Sequence, residues 1–276
     1  TKKRYKKALG KLLPVQKTVK NAIDQIQLIA LPSVMECLQE GFRSLDDSPT
    51  NLQSTLTHGF PKESFDQVRF KMLDYQHRME SEISEFPRVK YYEGKALKDA
   101  DTISLRNQKV PFTYRNNEPA ALWQDVNGKE DQGANPEEVE AIETELQEII
   151  DWARKNPRND RTPWSVAVLT PYGKQNFNLL QMAKRITGMK NEFRFDLTKM
   201  EDPVPVNLVV SSTDKYQGQE ADIVLISLVK VSGHGFLDSW NRMNVAITRA
   251  KRKRIIFGKY NNFVRTNDEM LNDLAK

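Results

Sequence analysis

The sequence has very little cysteine and histidine. Cys37 is the single cysteine among 276 residues, so the chain cannot form an internal disulfide or build a zinc site from cysteine ligands. Its three histidines, His58, His77 and His234, lie far apart and lack the spacing of metal ligands. These scarcities exclude a disulfide-stapled domain and predict no metal-ligating residues within the chain.

Long apolar runs are also missing. No run approaches the roughly 20 residues that a helix needs to cross a bilayer. The first 20 residues contain no apolar signal-peptide core. Together with the single cysteine, these absences predict an intracellular protein, cytoplasmic or nuclear, with no membrane partner.

Several catalytic signatures are absent as well. There is no GxxxxGK[ST] phosphate-binding loop and no clear acidic Mg²⁺ motif at the end of an apolar strand. No Ser-His-Asp arrangement and no HExxH helix occur either. A complete nucleotide hydrolase is therefore not encoded in these residues.

Basic residues exceed acidic ones. The 42 Lys and Arg against 37 Asp and Glu give a formal net charge of +5, which favours a polyanionic partner weakly and also fits a merely soluble basic domain. Residues 1–20 hold eight Lys and Arg and no acid. That stretch indicates either a solvated helix face or contact with a nucleic-acid backbone.

A polar segment divides the chain. Residues 44–62 are rich in Ser, Thr, Asp, Asn and Pro, which is typical of a linker or surface loop. We predict a helical accessory or linker segment over residues 1–62, with its helices broken near Pro32. A single larger domain is then expected over residues 63–276.

Apolar runs rich in β-branched residues predict the strands of that domain. They occur in five places: residues 120–128, 164–169, 206–210, 222–229 and 254–257. Residues 90–97 and 110–115 have the composition of short strands or turns. From residue 120 onward strands alternate with helices, which indicates βαβ units and a mainly parallel sheet.

Helix signals lie between the predicted strands. Asn135 fits an N-cap and Pro136 the first helical position, so a helix is predicted from there to about Asn156. Another is predicted over about residues 175–186, and a further one starting near Ser81. The first of these has apolar residues at helical spacing, which indicates one buried face.

Two polar stretches, residues 211–220 and 241–250, flank the strand predicted over residues 222–229. The second stretch is predicted to be a helix, and Arg242 and Arg249 share one of its faces because they are seven residues apart. The opposite face is then apolar and holds Trp240, Met243, Ile247 and Ala250. The two arginines are either surface solubilisers or bidentate phosphate ligands.

Glu220 and Gly218 belong to the first polar stretch. A carboxylate at Glu220 could accept hydrogen bonds from a ribose, pair with a lysine, or cap the loop. Gly218 permits close approach of the backbone to a ligand. The residues alone leave these alternatives open.

Four blocks, taken as a set, resemble the second RecA-like motor domain of superfamily 1 helicases, in the branch of the nonsense-mediated-decay helicase. The blocks are Tyr75-Gln76-His77-Arg78-Met79, Leu169-Thr170-Pro171-Tyr172 with Gln175, Thr213 to Glu220, and Arg242 to Ala250. They occur in the family's order, over about residues 66–260. The resemblance implies an α/β fold, a RecA-like three-layer sandwich of the P-loop NTPase type with a mainly parallel sheet.

The resemblance also implies roles. ATP would lie between two RecA-like domains, with the phosphate loop and the Mg²⁺ ligands on the first domain and this chain as the opposite wall. The implied catalytic residues are two arginine fingers, Arg78 and Arg249. The implied nucleotide-binding residues are Gln76, His77, Gly218, Glu220 and Arg242. The implied contacts to single-stranded nucleic acid are Thr170, Pro171, Tyr172, Gln175, Ser212 and Thr213.

The sequence departs from the family pattern in three ways. His77 stands where the family usually has tyrosine, and Glu80-Ser81 stands where it usually has His-Pro. The signatures of the first motor domain are missing. The departures put base stacking by His77 and the local loop in doubt, and they lead us to expect little hydrolysis by this chain alone.

Three functions follow as hypotheses. The first is the C-terminal motor domain of an ATP-dependent DNA or RNA helicase, with 5′ to 3′ polarity implied by its branch. The second is a catalytically inactive helicase-like nucleic-acid-binding or scaffold module, for which retaining both Arg78 and Arg249 would be unnecessary. The third is the nucleotide-binding domain of another α/β enzyme, which the missing phosphate loop disfavours.

Overall fold

The computed structural model describes most of the predicted motor domain. The described stretches are residues 74–92, 97–190, 193–233, 237 and 240–276. All belong to the second of the two units into which the chain divides, Leu73–Lys276. The helices and linker predicted over residues 1–62, and the boundary at residue 63, lie outside the described residues.

The described residues form strands and helices in alternation. The strands are β1 (Tyr75–Gln76), β2 (Lys98–Asp99), β3 (Ala121–Asp125), β4 (Trp164–Thr170), β5 (Arg194–Asp196), β6 (Val206–Ser212), β7 (Ala221–Ser227) and β8 (Ala250–Gly258). The helices are α1 (Ser81–Tyr91), α2 (Asp101–Lys109), α3 (Pro136–Lys155), α4 (Gly173–Thr187), α5 (Trp240–Ile247), α6 (Tyr260–Val264) and α7 (Glu269–Ala275). Within these stretches, no helix is both long and apolar enough to cross a membrane.

A six-stranded sheet with the order β3-β8-β7-β4-β6-β5 forms the centre of the domain. Its neighbouring strands are parallel except β5, which is antiparallel to β6. One apolar cluster packs α3 and α4 on one face, and another packs α1, α5, α6 and α7 on the other. The predicted three-layer α/β fold with a mainly parallel sheet is therefore confirmed.

Strand β7 shows why the strands of this sheet could be predicted from the sequence. All seven of its residues are buried, because helices cover both faces of a parallel sheet and its strands become continuous apolar runs. The run continues to Val229, but the strand ends at Ser227. Val229 has a φ of +68°, and the Lys230 amide donates to the Leu228 carbonyl at 2.7 Å. This γ-turn of the rarer, positive-φ kind ends the strand two residues before the predicted boundary.

Helix α3 begins as its sequence predicts. The Asn135 side chain accepts a hydrogen bond from the Glu138 amide at 3.2 Å, and Pro136 occupies the first helical position. The buried residues on its inner face are Ile142, Leu146, Ile149 and Ala153. The helix ends at Lys155, as predicted, with Asn156 as its C-cap.

The prediction of a short strand or turn over residues 110–115 is confirmed only as turns. The segment leaves α2 and forms no strand before β3. Tyr114 is buried, and its hydroxyl donates to Glu145 Oε1 at 2.7 Å. Residues 90 and 91 end α1 instead of starting a strand, and residues 93–96 lie outside the described part.

A buried polar network ties the carboxyl end of β7 to α3 and α4. The Val229 amide donates to both carboxylate oxygens of Glu138, at 3.0 and 2.9 Å, and the Ser227 hydroxyl donates at 2.5 Å. Gln175 donates to Ser227 Oγ and to the Asn135 carbonyl. Burial raises the pKa of Glu138 to about 7, despite these hydrogen bonds.

This carboxylate makes stability depend on pH. Because the pKa of Glu138 is raised from about 4.3 to about 7 on folding, the folded state binds more protons between these values. The free energy of unfolding should therefore fall as pH rises through this window, by at most about 1.4 kcal/mol per pH unit from this group. Urea unfolding of Glu138→Gln should lack that component of the slope.

The neighbouring carboxylate is the matched control. The pKa of Glu137 is lowered by backbone hydrogen bonds, so Glu137→Gln should keep the wild-type slope above pH 4.3. Equal slopes in wild type and Glu138→Gln would show that Glu138 is ionised throughout.

Candidate functional site

The predicted site residues divide between two opposite edges of the sheet. In a parallel sheet, all carboxyl ends lie at one edge and all amino ends at the other. Thr170 and Ser212 end the neighbouring strands β4 and β6. Glu220 and Arg249 directly precede β7 and β8, and the Ala221 amide donates to the Arg249 carbonyl at 3.1 Å. We call these two regions the carboxyl edge and the amino edge.

The loop of residues 213–220 runs from one edge to the other. It leaves β6 at the carboxyl edge and enters β7 at the amino edge. Tyr216 is buried in the apolar cluster around α1 and α5, and burial raises its pKa to about 12. Gly218 has a φ of +83° with open space around it, so glycine is needed there for its backbone conformation. The predicted contact of Gly218 with a nucleotide stays a prediction.

At the amino edge, Glu220 bridges two cations. Arg78 Nε donates to Glu220 Oε2 at 2.7 Å, and Lys251 Nζ lies 3.1 Å from Oε1. Burial pushes the pKa of Glu220 upward, but the hydrogen bonds from Arg78 and Lys251 outweigh it, and the pKa is lowered. Both oxygens of Glu220 are thus engaged within the protein.

Arg249 lies beside this bridge without a carboxylate. Its guanidinium donates to the carbonyls of Val245 and Gln219, at 2.7 and 3.2 Å, and to Thr248 Oγ1 at 3.3 Å. Among the described residues, no acid forms an ion pair with it. Burial lowers the pKa of Arg249 and repulsion from Arg78 lowers it further, which together outweigh the attraction of the nearby Glu220. The amino edge therefore concentrates positive charge in a half-buried position.

Main-chain contacts hold Arg78 at this edge. Arg78 Nη1 donates to the Thr248 carbonyl at 3.0 Å. Arg106 donates to the Arg78 carbonyl at 2.6 Å and to the Lys251 carbonyl at 3.3 Å. The arginine that follows β1 is therefore attached to the turn that precedes β8, about 170 residues later in the sequence.

The structure corrects the position of Arg242. Helix α5 ends at Ile247, so Arg249 lies in the turn before β8 and does not share a helical face with Arg242. Arg242 Nε lies 3.4 Å from Asp214 Oδ1, and Arg242 lines a small cleft with Pro171 and Thr213. It belongs to the carboxyl edge and not with the residues predicted to bind nucleotide.

Gln76 and His77 directly precede Arg78, and their predicted contacts with a nucleotide stay predictions. The Gln76 side chain is buried, donates to the Met79 carbonyl and to Asp99, and accepts from the amides of Arg78 and Met79. It shapes the turn that carries Arg78 and has no free group for a ligand. His77 is exposed, with Nδ1 2.9 Å from Thr102 Oγ1.

Asp99 is the acceptor on which that turn depends. It receives hydrogen bonds from Gln76, Ser81, Ser84 and Arg88, at 2.5 to 3.2 Å. Burial raises its pKa, but the hydrogen bonds outweigh burial and the pKa is lowered. No sequence motif marked Asp99, because its partners come from β1 and α1.

Most side chains predicted to contact a single strand are buried at the carboxyl edge. Thr170, Tyr172, Gln175 and Thr213 each expose less than a tenth of their surface. Gln175 is fully buried and bound to Asn135 and Ser227, so its side chain is structural. Pro171 and Ser212 are partly exposed. The edge contains the predicted residues, but few of them can reach a ligand through side chains in this conformation.

Sequence reasoning missed three lysines that the structure places at the two edges. Lys251 joins Arg78 and Glu220 at the amino edge. Lys174 and Lys230 lie at the carboxyl edge, where Lys230 Nζ is 5.4 Å from the centre of the Tyr172 ring. Lys251 is at a strand start, and Lys174 and Lys230 follow strand ends by a few residues. These positions are the signal that could have found them.

The chemistry available at the amino edge is anion binding. Three cations, Arg78, Arg249 and Lys251, face one carboxylate, Glu220, and arginine guanidiniums suit phosphate oxygens. Among the described residues no group of three or more His, Cys, Asp or Glu could hold a metal ion. The edge can therefore hold and polarise a phosphate, while other groups must supply a nucleophile.

Removing the Asp99 carboxylate should loosen the turn that holds Arg78. In Asp99→Asn the donors from Gln76 and Arg88 lose a charged acceptor, which should lower the free energy of unfolding by about 1–3 kcal/mol. Asp273→Asn, which removes a partly exposed carboxylate at the chain end that is paired with Lys90, should have a smaller effect. Chemical denaturation at neutral pH measures both.

Acid titration checks the same point. Because the pKa of Asp99 is lowered on folding, its contribution is present above about pH 3.9 and is lost as pH falls through the folded pKa. The difference in stability between wild type and Asp99→Asn should therefore shrink below about pH 4. A constant difference would mean that the charge of Asp99 is immaterial.

Comparisons with known proteins agree with this arrangement. A family model described as an AAA domain matches residues 52–261. The chain is 29% identical over 196 residues to helicase SEN1 of Saccharomyces cerevisiae, covering 68% of this chain and 8% of that protein. It is 33% identical over 196 residues to the ATP-dependent helicase NAM7 of the same yeast, covering 67% and 18%.

Another relative is the regulator of nonsense transcripts 1 homolog of Neurospora crassa, which is 29% identical over 213 residues, covering 75% of this chain and 18% of that protein. Among solved structures, the C-terminal domain of a possible DNA helicase from Lactobacillus aligns with 12% identity over 66% of this chain and 87% of that one. Its TM-score of 0.36 is too low to carry an argument.

The chain spans only 8% to 18% of the length of these curated relatives. The family match nevertheless covers most of the chain, including all four motif blocks. The chain belongs to this AAA-domain family and is a motor domain of the superfamily 1 helicases, in the branch of the nonsense-mediated-decay helicases.

Proposed function

We propose that this chain is the C-terminal motor domain of an ATP-dependent helicase, and that its amino edge is one wall of the ATP site. The observation that carries the proposal is Arg249, a half-buried guanidinium that forms no ion pair among the described residues, where burial and Arg78 lower its pKa more than the nearby Glu220 raises it. Three cations, Arg78, Arg249 and Lys251, share the single carboxylate of Glu220, so repulsion between them is only partly offset. A triphosphate would relieve that repulsion.

Arg78 and Arg249 would hold the terminal phosphate and stabilise charge that develops during its transfer. Phosphoryl transfer depends mostly on positioning and electrostatic stabilisation, and such an arginine contributes about 10³–10⁵ in rate. Each guanidinium already donates to main-chain carbonyls, which fixes its orientation before a ligand binds. Preorganised donors of this kind cost little reorganisation during the reaction.

Glu220 takes a positioning role in this proposal. Both of its oxygens are occupied by Arg78 and Lys251, so a ribose would have to displace a cation to reach it. The same holds for Gln76, which is buried in the turn before Arg78. These residues would support Arg78. The family resemblance, by contrast, implies that they contact the nucleotide.

The rest of the ATP site would come from a first RecA-like domain of the full-length protein. That domain would supply the phosphate loop and the Mg²⁺ ligands, and this chain alone should hydrolyse little or no ATP. Residues 1–62 would be an accessory or linker segment and residues 63–276 the motor domain. An intracellular location, cytoplasmic or nuclear, completes the proposal.

The carboxyl edge would bind single-stranded nucleic acid. Pro171 and Ser212 are partly exposed there. Thr170, Tyr172 and Thr213 are buried and would support that surface. Hydrogen bonds to the sugar-phosphate backbone would suit DNA and RNA alike, since discrimination between them needs contacts to the 2′-hydroxyl. Opening and closing of the cleft between the two domains would move the strand stepwise, with the 5′ to 3′ polarity of the branch.

Substitution of Arg249 tests the proposed ATP wall in the full-length protein. Arg249→Ala should lower nucleic-acid-stimulated ATP hydrolysis by about 10³-fold or more, while single-strand affinity stays close to wild type. Arg249→Lys should also fail, because an ammonium cannot replace the bidentate guanidinium. Steady-state ATPase assays and fluorescence anisotropy with a labelled oligonucleotide measure the two properties.

Arg242→Ala is the matched control, since it removes an arginine from the opposite edge. It should weaken strand binding while ATP hydrolysis at saturating nucleic acid stays within a few-fold of wild type. If Arg249→Ala lost both properties equally, Arg249 would be structural. Robust ATP hydrolysis by the isolated chain would contradict the need for a second domain.

A further inference from the structure

We propose that residues 127–134, the acidic loop between β3 and α3, compete with nucleic-acid phosphates for Lys174 and Lys230. These lysines would then be the main cationic contacts of the carboxyl edge to a single strand, and the loop would limit its affinity. The inference rests on the proposed single-strand binding at this edge. It adds to that proposal two lysines that would bind the nucleic acid and an acidic loop that would weaken this binding.

Lys230 and Glu130 form the first ion pair. Lys230 Nζ contacts Glu130 Oε1, and both side chains are largely covered, at 20% and 17% exposure. The same ammonium lies over the Tyr172 ring, 5.4 Å from its centre, in the range of a cation–π contact. Lys230 therefore lies directly beside the residue that the family resemblance placed against a strand.

Lys174 and Asp131 form the second pair, and Lys174 lies two residues after Tyr172 in the sequence. Lys174 is in the first turn of α4, and its Nζ lies 3.1 Å from Asp131 Oδ2 and 3.4 Å from the Asp131 carbonyl. Asp131 is 73% exposed, so water and other anions reach this pair freely. Consecutive acids of one loop thus neutralise both lysines.

The acidic loop is held in place by its own contacts. Asp131 and Ala134 exchange backbone hydrogen bonds at 2.8 and 3.0 Å. A Cβ on Gly128 would come within 2.2 Å of Asn135 Oδ1, so only glycine allows the chain to pass the N-cap of α3 this closely. The Asn135 amide donates to the buried Gln175. The position of the two acids is therefore set by the fold.

Lys230 is also held by a costly local conformation. It follows Val229, a β-branched residue with a φ of +68°, and such a residue in this region is a strained exception. The Val229 amide is bound by both oxygens of Glu138. A buried carboxylate thus holds a strained residue directly before Lys230. This strain next to the proposed nucleic-acid surface is consistent with a binding role for Lys230.

Exchange of partners would be easiest at the exposed pair of Lys174 and Asp131, because exposed ion pairs contribute about 0–1 kcal/mol. The pair of Lys230 and Glu130 is more covered, so its exchange costs more. Phosphate contacts, in return, gain from the release of condensed counterions, with a slope of about 0.7 per phosphate on single strands. A strand could therefore displace Glu130 and Asp131 from the two lysines. The loop would lower the affinity without blocking the site.

The test uses the full chain and a fluorescent oligo(dT) or oligo(rU) of about 15 nucleotides in anisotropy titrations. Glu130→Gln with Asp131→Asn should bind about 3- to 10-fold more tightly than wild type, since each freed lysine gains at most one pair's worth of energy. Lys174→Ala with Lys230→Ala should bind more weakly and lower the salt slope by about 1.4. The gain should vanish when all four substitutions are combined.

A charge-matched control separates a local effect from net charge. Glu143→Gln with Asp202→Asn removes the same two acid types, which here pair with Arg185 and Arg154. This control should change the affinity by less than the acidic-loop variant. Asp131→Asn alone changes a mostly exposed side chain, so this single variant should fold. It should show part of the gain in affinity, and it replaces the double variant if that one does not fold.

The outcomes distinguish this inference from the function on which it rests. A wild-type chain that binds neither oligonucleotide would overturn the proposed strand site and this inference with it. Binding by wild type, with no gain in the acidic-loop variants or an equal gain in the control, would overturn this inference alone. A gain that persists without the two lysines would also overturn it.

Discussion

The common direction of the sheet strands is the constraint from which the two proposed sites follow. It places the carboxyl ends of the five parallel strands at one edge and their amino ends at the other, while β5 runs in the opposite direction. Each crossover between parallel strands connects these edges, and two of the connections carry several predicted site residues: the loop of residues 213–220 and helix α5 with the turn that follows it. The loop runs from Thr213 to Glu220, and the helical segment runs from Arg242 to Arg249. Each thus has one end at the carboxyl edge, where a nucleic-acid strand is proposed to bind, and the other at the amino edge, where phosphate is proposed to bind.

The two edges differ in how their positive charge is balanced. At the carboxyl edge, Lys174 and Lys230 are neutralised by the acidic loop. At the amino edge, Arg249 has no acid partner among the described residues, and its pKa is lowered by burial and by Arg78. Burial of an unpaired cation is costly. The domain therefore carries an energetic cost at the amino edge that a bound phosphate would offset, whereas the carboxyl edge is already internally paired.

The sequence allowed the layers of the fold to be predicted because local patterns determined them. β7 is a continuous apolar run, and Asn135-Pro136 marks the start of α3. The placement of Arg242 was wrong because helical spacing was extended past Ile247, where hydrogen bonding to β7 converts the chain to strand β8. The burial of Gln175 could not be predicted either. Its partners are distant in sequence, so the side chain looks like a surface residue until the fold brings them together.

The central claim is that phosphate and strand bind at opposite edges. NMR of the chain with labelled arginine and lysine side chains tests it most directly, since pyrophosphate and a short oligonucleotide can be added separately. Pyrophosphate should shift the Nε signals of Arg78 and Arg249, and the oligonucleotide should shift the signals of Lys174 and Lys230. If both ligands shifted the same set of side chains, the division of the domain into two functional edges would be contradicted.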